Sequence, residues 1–433
     1  MKSETSPKPL AAGQQKNNRS QVITFPASSD ARLGASGRLW DTAKKIGPAI
    51  VTGAADLDPS AIVTATVVGA AFSFKVLWIV LLCVPFLLAA LDTSTRIALE
   101  TRKGLFDLIR EYYGRGPAIF ATVFTIFISM LVITADLMAV ADVLSLILHQ
   151  PRMFFVPAIA FTVWYMLVFH DYRKITRVLV WASLPVCLYL AAAWMTAPGF
   201  GNVLRGFLVP QFSWNKDFVE SVVALFGSLL TPYIILWQTS SRTDSHHEPH
   251  RADSVIACVV MFVLAASIII AAGSMLHFEH PVDMTTRQAA EALRPIAGDW
   301  GMLIFAIGII GAGMVSLPVL VASMCYDVTQ AFGWEYGLSH HPWEAKRFYL
   351  LISGTMFLAT VGNFFKINPV TALYWSMIFA GILLIPTLIF MMIVANNKRI
   401  MKTTNSLWQN ALLGAATVST ALIGAIYLWE KLR

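Results

Sequence analysis

Long apolar stretches separated by short polar linkers dominate this chain from about residue 46 onward. A helix that crosses the hydrocarbon core of a bilayer needs roughly 20 largely apolar residues, and about eleven stretches meet that requirement. They fall near 46–71, 75–99, 117–147, 153–170, 175–197, 217–240, 254–277, 300–328, 347–364, 369–395 and 407–429. Several exceed the minimum, which implies tilt or extension into the cytoplasm. Short helix-compatible pieces at 105–113 and 279–295 belong at the membrane interfaces. The pattern predicts an all-α integral membrane protein.

Two of the stretches are interrupted. The first carries Asp56-Leu57-Asp58-Pro59-Ser60-Ala61, and the sixth carries Ser228-Leu229-Leu230-Thr231-Pro232-Tyr233. Pro59 and Pro232 cannot donate the helical hydrogen bond, and each disfavours helix in the residue before it. In lipid, the backbone groups freed this way persist only where they line a cavity or meet a ligand. Broken helices in corresponding positions mark the midplane binding site of a secondary transporter. The breaks lie in the first and sixth spans, so the chain divides into a five-helix repeat at about 46–197 and a second at about 217–395. One extra helix follows at about 407–429. Residue identity shows no repeat; the matched breaks carry the division. A carboxylate at one break predicts a cationic cargo.

Composition fits this picture, with 57% of 433 residues hydrophobic and 13% charged. The formal charge of +7 is spread over short loops beside apolar segments, a topology signal rather than a nucleic-acid footprint. The richer set of linkers holds Lys44 and Lys45, Arg102, Lys103, Arg110 and Arg115, then Arg173, Lys174 and Arg177. It continues with Arg242, Arg251, Lys346, Arg347, Lys398, Arg399 and Lys402. That side is expected to be cytoplasmic, with the amino end inside and, after an odd number of spans, the carboxyl end outside. A bacterial inner membrane suits these loops. Residues 1–44 are polar, rich in Ser, Lys, Asn and Gln, and read as a disordered cytoplasmic tail ahead of a transporter domain at 45–429. Cys83, Cys187, Cys258 and Cys325 stand singly in apolar segments and read as small buried hydrophobes. An enzymatic reading would need nucleophile, base or metal ligands clustered at one depth, whereas His149, His170 and His277 all sit at span edges. No cofactor is implied. The expected partners are the transported ion and the bilayer, with no nucleic acid; no motif addresses oligomeric state.

From about residue 45 to 428 these motifs resemble the Nramp family of divalent-metal transporters. The family's first helix carries Asp-Pro-Gly-Asn, where this chain has Asp58-Pro59-Ser60-Ala61. Its sixth carries Met-Pro-His and a second His five residues on, where this chain has Thr231-Pro232-Tyr233 and Gln238. The family's metal-binding backbone carbonyl corresponds to Ser228, and Thr101-Arg-Lys-Gly-Leu-Phe-Asp-Leu is similar to a further family segment. The resemblance implies two inverted five-helix repeats, as in the bacterial leucine transporter class, with helices 1 and 6 unwound and alternating access. It implies a metal site at Asp58, Ser228, Thr231 and Ala61, and a pathway past Asp56, Ser60, Tyr233, Gln238 and Asp136.

The departures shape the expected cargo. Ala61 replaces an amide and Thr231 a thioether, and oxygen ligands suit magnesium, calcium or manganese better than softer metals. Magnesium usually keeps several waters, so a roomier site with fewer ligands fits it. The chain is similar to the divergent branch associated with magnesium, and magnesium is the expected cargo ahead of manganese. Asp136 matches a third-helix acid of the family's proton route, but Ala139 stands where a Glu would follow, and Tyr233 and Gln238 do not titrate near neutrality. Arg347 is a candidate partner for Asp136, and transport without proton coupling follows as the expectation. The alternatives are a proton-coupled manganese or iron importer, or an amino-acid permease of the same fold.

Other polar residues carry two readings each. An Asp at bilayer centre costs about 2.5–3.5 kcal/mol on insertion scales, so Asp58 needs compensation, as metal ligand or as helix cap. Asp56 either lines the aqueous approach or faces a polar group of another helix. Thr231 and Ser228 offer oxygens to the ion or satisfy backbone around Pro232. Asp92 and Glu220 read as solvated or capping. The loop cluster His246, His247 and His250 either binds metal or gathers histidine by chance.

Overall fold

The computed structural model describes residues 57–169, 187–196, 199–213, 215–240, 251–276, 284–293, 298–338, 340–365 and 367–432. The amino-terminal tail, Asp56 and the His246, His247 and His250 cluster lie outside them. So does most of the fifth expected span, of which α6 (below) is the described part.

The first half begins with α1 (Pro59–Phe72), which runs through a 3-10 turn at Ser73–Val76 into α2 (Leu77–Thr101). It continues with α3 (Leu105–Tyr113), α4 (Arg115–Leu148), α5 (Arg152–Phe169), α6 (Leu188–Met195) and α7 (Phe200–Leu208). The second half opens with α8 (Lys216–Leu229) and α9 (Pro232–Ser240), which are the two arms of the broken sixth span. Then come α10 (Arg251–Met275), α11 (Thr286–Ala290), α12 (Gly301–Phe332), α13 (Lys346–Gly362), α14 (Pro369–Ala395) and α15 (Leu407–Leu432).

The helix ends have local causes. Asp58 and Asn368 each cap a helix whose first residue is proline, accepting from Ala61 and Val370 N–H respectively. The long α12 stops at Gly333, whose φ of 68° lets Trp334 N–H reach the Thr329 carbonyl while Gly333 N–H bonds the Gln330 carbonyl. Among the described residues, eight helical runs are long and apolar enough to cross a membrane. The sequence count is higher for three reasons. α1 and α2 form one continuous run, the fifth span lies mostly outside the described residues, and α13 has 17 residues.

The apolar surface faces outward as well as inward. On α4, Phe120, Val123, Phe124 and Phe127 form an i, i+3, i+4, i+7 stripe, and Phe120 is 59% exposed. With backbone groups closed inside helices, such a surface is matched to lipid. Inside, α12 lies along α4, α1 along α10, and α8 along α14. Small residues allow the closest approaches. A Cβ on Gly227 would meet the Met377 carbonyl of α14, and one on Gly381 would come within 2.7 Å of the Val223 carbonyl of α8. A Cβ on Gly69 would lie 2.7 Å from the Ile269 carbonyl of α10.

At one end of the bundle the expected interfacial piece forms α3, docked on the end of α12. Arg110 donates to the Gln330 carbonyl and pairs with Asp107 at 2.9 Å, and Tyr336 donates to the same Asp107. Burial pushes the Asp107 carboxyl above its ordinary range, against the opposing pull of Tyr336 and Arg110. One sequence reading changes. Arg347 does not reach Asp136; its guanidinium lies 5.1 Å from the Trp334 ring centroid, at the exposed start of α13. The stretch between the fifth and sixth expected spans forms a further helix, α7.

Gly227→Ala is expected to lower the melting temperature in detergent, since overpacking against a backbone carbonyl costs about 1–3 kcal/mol. Gly354→Ala, with open space at its Cβ, is the control and should leave it unchanged or higher.

Candidate functional site

The site is built where α1 begins. Asp58 has extended backbone (φ −69°, ψ 169°), so its carbonyl starts the helix by accepting from Ile62 N–H at 3.1 Å. Its side chain turns back over the first turn, and Oδ1 accepts from Ala61 N–H at 2.6 Å. The other oxygen, Oδ2, accepts from the Tyr233 hydroxyl on α9. Asp58 is 0% exposed. The positive end of the α1 dipole favours its negative charge.

The sixth-span break lies across from it. Helix α8 closes with Leu230 N–H on the Phe226 carbonyl at 3.0 Å. The donor that would serve the Ser228 carbonyl in an α-helix belongs to Pro232, which has no N–H. That carbonyl oxygen is therefore free of its helical partner, while the Ser228 hydroxyl bonds the Leu225 carbonyl at 3.1 Å. Thr231 is buried at the junction, and its carbonyl starts α9 by accepting from Ile234 and Ile235 N–H. Tyr233 is fixed from its backbone side, where the Ser323 hydroxyl of α12 bonds its carbonyl at 3.1 Å.

Beside Asp58 sits a second buried carboxylate. The Ser60 hydroxyl donates to Asp136 Oδ1 at 2.5 Å, and the Ser316 hydroxyl approaches Oδ2 at 3.5 Å. Three helices converge here through Gly313, whose Cβ would lie 3.2 Å from Pro59 Cγ. Asp142, one and a half turns along α4, is held by the Thr286 hydroxyl at 2.6 Å and belongs to the far end of the helix. Asp92 accepts from Gln409 at 2.5 Å, well inside α2 rather than at its end.

Of the residues singled out in the sequence, Asp58, Ala61 and Tyr233 come together directly. Ser60 and Asp136 join them through one further hydrogen bond. Ser228, Thr231 and Pro232 form the facing junction, with Gln238 buried further along α9. Ala61 acts through its N–H, because a methyl offers no lone pair. The donor set is hard: one carboxylate, a free carbonyl and hydroxyls. Among the described residues, no three His, Cys, Asp or Glu side chains come together to hold a metal. One charge with neutral oxygens suits an ion that must also leave.

Apolar outer faces, an interior of close-packed helices and two proline breaks meeting at a buried carboxylate define a helical membrane transporter of the inverted-repeat class. The comparisons agree. A family description, natural resistance-associated macrophage protein-like, matches residues 49–430, and the chain belongs to that Nramp family. Among similar curated proteins is metal transporter NRAT1 of Oryza sativa subsp. japonica, 22% identical over 67% of this chain and 57% of its own. The divalent metal cation transporter MntH of Verminephrobacter eiseniae is 24% identical over 63% and 65%. MntH of Bacillus subtilis is 22% identical over 84% and 86%. The chain thus spans less than two thirds of the first two relatives. Among solved structures, the Eremococcus coleocola manganese transporter superposes with a TM-score of 0.70 at 15% identity, covering 94% of this chain and 90% of that one. MhsT in complex with L-phenylalanine reaches 0.60 at 12% identity, covering 88% and 98%.

The sequence reading missed Asp327, a carboxylate inside the apolar run that became α12. A lone acid in a span was the available signal.

Tyr233→Phe removes a donor from a buried carboxylate, a loss of about 1–3 kcal/mol. The variant is expected to melt lower without divalent metal and to show a larger metal-induced rise, read in a thermal shift series with manganese.

Proposed function

We propose that this chain moves a divalent metal cation across a membrane by alternating access. The observation that carries this reading is Asp58, fully buried at a proline break and bridged by Tyr233 to the other break. An arriving dication takes one oxygen from the Tyr233 hydroxyl and gathers the Ser228 carbonyl and the Thr231 hydroxyl. An amino-acid cargo is disfavoured, because its carboxylate would face Asp58 where the substrate has to bind.

Manganese is the leading cargo in this proposal, ahead of the magnesium expected from Ala61 and Thr231. Support comes from the Eremococcus coleocola relative, titled a manganese transporter, and from oxygen ligands that manganese accepts as readily. Coupling to protons likewise replaces the uncoupled expectation. The uncoupled reading rested on Ala139, Tyr233 and Gln238 and on an Arg347 partner for Asp136; that partner is absent, and Asp136 instead meets Ser60 and the Ser316 hydroxyl. The proposed location is a bacterial inner membrane with the amino end inside and the carboxyl end outside, resting on the basic linkers.

Uptake of manganese, magnesium and cadmium into proteoliposomes tests the cargo. Manganese flux that Asp58→Ala abolishes is the expected outcome; magnesium flux without manganese flux would restore the original expectation. Thr231→Met adds a thioether and should raise cadmium uptake relative to magnesium.

A further inference from the structure

Asp327 is the one buried carboxylate for which both oxygens lack a hydrogen-bond partner among the described residues. It is 1% exposed, near the cytoplasmic end of α12. Positions i, i+4, i+7 and i+11 share one face of a helix, so Ser316, Leu320, Ser323 and Asp327 lie in a common wedge, and Gln330 extends it by one turn. The contacts of that wedge are known above and below Asp327. Ser316 approaches Asp136 on α4, Ser323 bonds the Tyr233 carbonyl on α9, and Gln330 donates to the Ser240 hydroxyl at the end of α9 at 2.9 Å. Asp327 therefore stands on a polar line that leads from the helix breaks to the inner end of the bundle.

We propose that Asp327 binds and releases a proton during the transport cycle, as a relay on the inner half of the pathway. The inference rests on the transport reading above but assigns a residue that reading does not use. An isolated carboxylate buried without a partner does not persist as an anion; it takes a proton or a cation. A dication needs several oxygens around it. Among the described residues, no hydroxyl or N–H reaches either oxygen of Asp327. Its neighbour Tyr326 packs edge-on to Trp237 and Phe348, and Cys325 lies on the other side, toward Thr355. One proton on one oxygen satisfies the site. The titratable groups on the elements packed around it are Asp136 on α4, Tyr233 on α9, Asp107 and Arg110 on α3, and Tyr349 on α13. Asp58 on α1 and Cys325 and Tyr326 on α12 are further titratable groups of this region, while Asp142 and Arg115 on α4, Glu111, Tyr112 and Tyr113 on α3, and Lys346 and Arg347 on α13 lie on the same packed helices. None of them hydrogen-bonds Asp327. In the closed arrangement the proton stays. When α9 and α12 separate at their inner ends, water reaches the carboxyl, the anion becomes solvated, and the proton leaves to the cytoplasm.

Infrared difference spectra of the full chain in detergent test this, with Asp327→Asn as the neutral isostere. The wild type at neutral pH is expected to show the carbonyl stretch of a protonated carboxylic acid, and Asp327→Asn to lose part of it without a fall in melting temperature. In proteoliposomes holding a pH dye, Asp327→Asn should lose metal-driven proton movement, and Asp327→Glu should recover it. An unchanged band in Asp327→Asn would overturn the proposal, as would a lower melting temperature, the mark of an ionised and paired acid. If the variant does not fold, a wild-type spectrum without any protonated-acid band at neutral pH overturns it equally. Failure of the transport reading is distinct: wild-type proteoliposomes would take up no metal while the infrared band remained.

Discussion

The hydrogen bond from Tyr233 to Asp58 joins the two interrupted helices, and the rest of the site is arranged around it. Asp58 alone at this depth would be an uncompensated charge. It is held by Ala61 N–H, by the tyrosine hydroxyl and by the positive end of α1. Each of these is a neutral donor, so none cancels the charge outright. The negative charge thus stays available to a cation, which a salt bridge to arginine would have prevented. The bond also ties the start of α9 to the start of α1, so any ion that takes its place must loosen one helix from the other. In the proposed transport cycle, binding and conformational change share a single contact.

That contact requires the backbones to come close, and the glycines show where. Gly313 lets α12 approach Pro59 at the break itself. Gly227 and Gly381 seat α8 against α14 one turn before the second break. The same proximity makes these positions intolerant of a methyl group.

Most of the span pattern was legible because a lipid-facing helix needs an unbroken apolar run, and only the positions of its ends depend on the fold. The breaks were legible for a sharper reason. Proline by itself does not separate helices here, since Pro85, Pro157, Pro318 and Pro386 all lie inside continuous ones. Their preceding residues are Val84, Val156, Leu317 and Ile385, none of which can cap. At Pro59, Pro232 and Pro369 the preceding residues are Asp58, Thr231 and Asn368, and a new helix starts at each. A capping side chain followed by proline is the signal, because it both frees the old end and satisfies the new one. What the sequence could not reveal was pairing across helices. Arg347 looked like a partner for a buried acid by its place at the head of a span, yet exposure and the Trp334 ring hold it outside. Asp327 drew no reading, because its isolation depends on what the fold packs around it.

Hydroxyl groups separate scaffold from pathway in the same tertiary terms. In a helix a threonine or serine hydroxyl usually bonds the carbonyl one turn back, as Thr66, Thr122, Thr125 and Thr134 do here. Such a group is spent locally and carries nothing between helices. Ser60 and Ser323 depart from that rule, one reaching Asp136 and the other the Tyr233 carbonyl. Both bonds span helices at the level of the breaks, and both involve serine, whose smaller side chain leaves the rotamer free to turn outward. A polar residue in an apolar span is therefore informative in proportion to how far from its own helix its hydrogen bond goes. By that measure the interior polar groups of α1, α4, α9 and α12 form one connected set, and it is this set, rather than any cluster of charged ligands, that an ion crossing the bundle would meet.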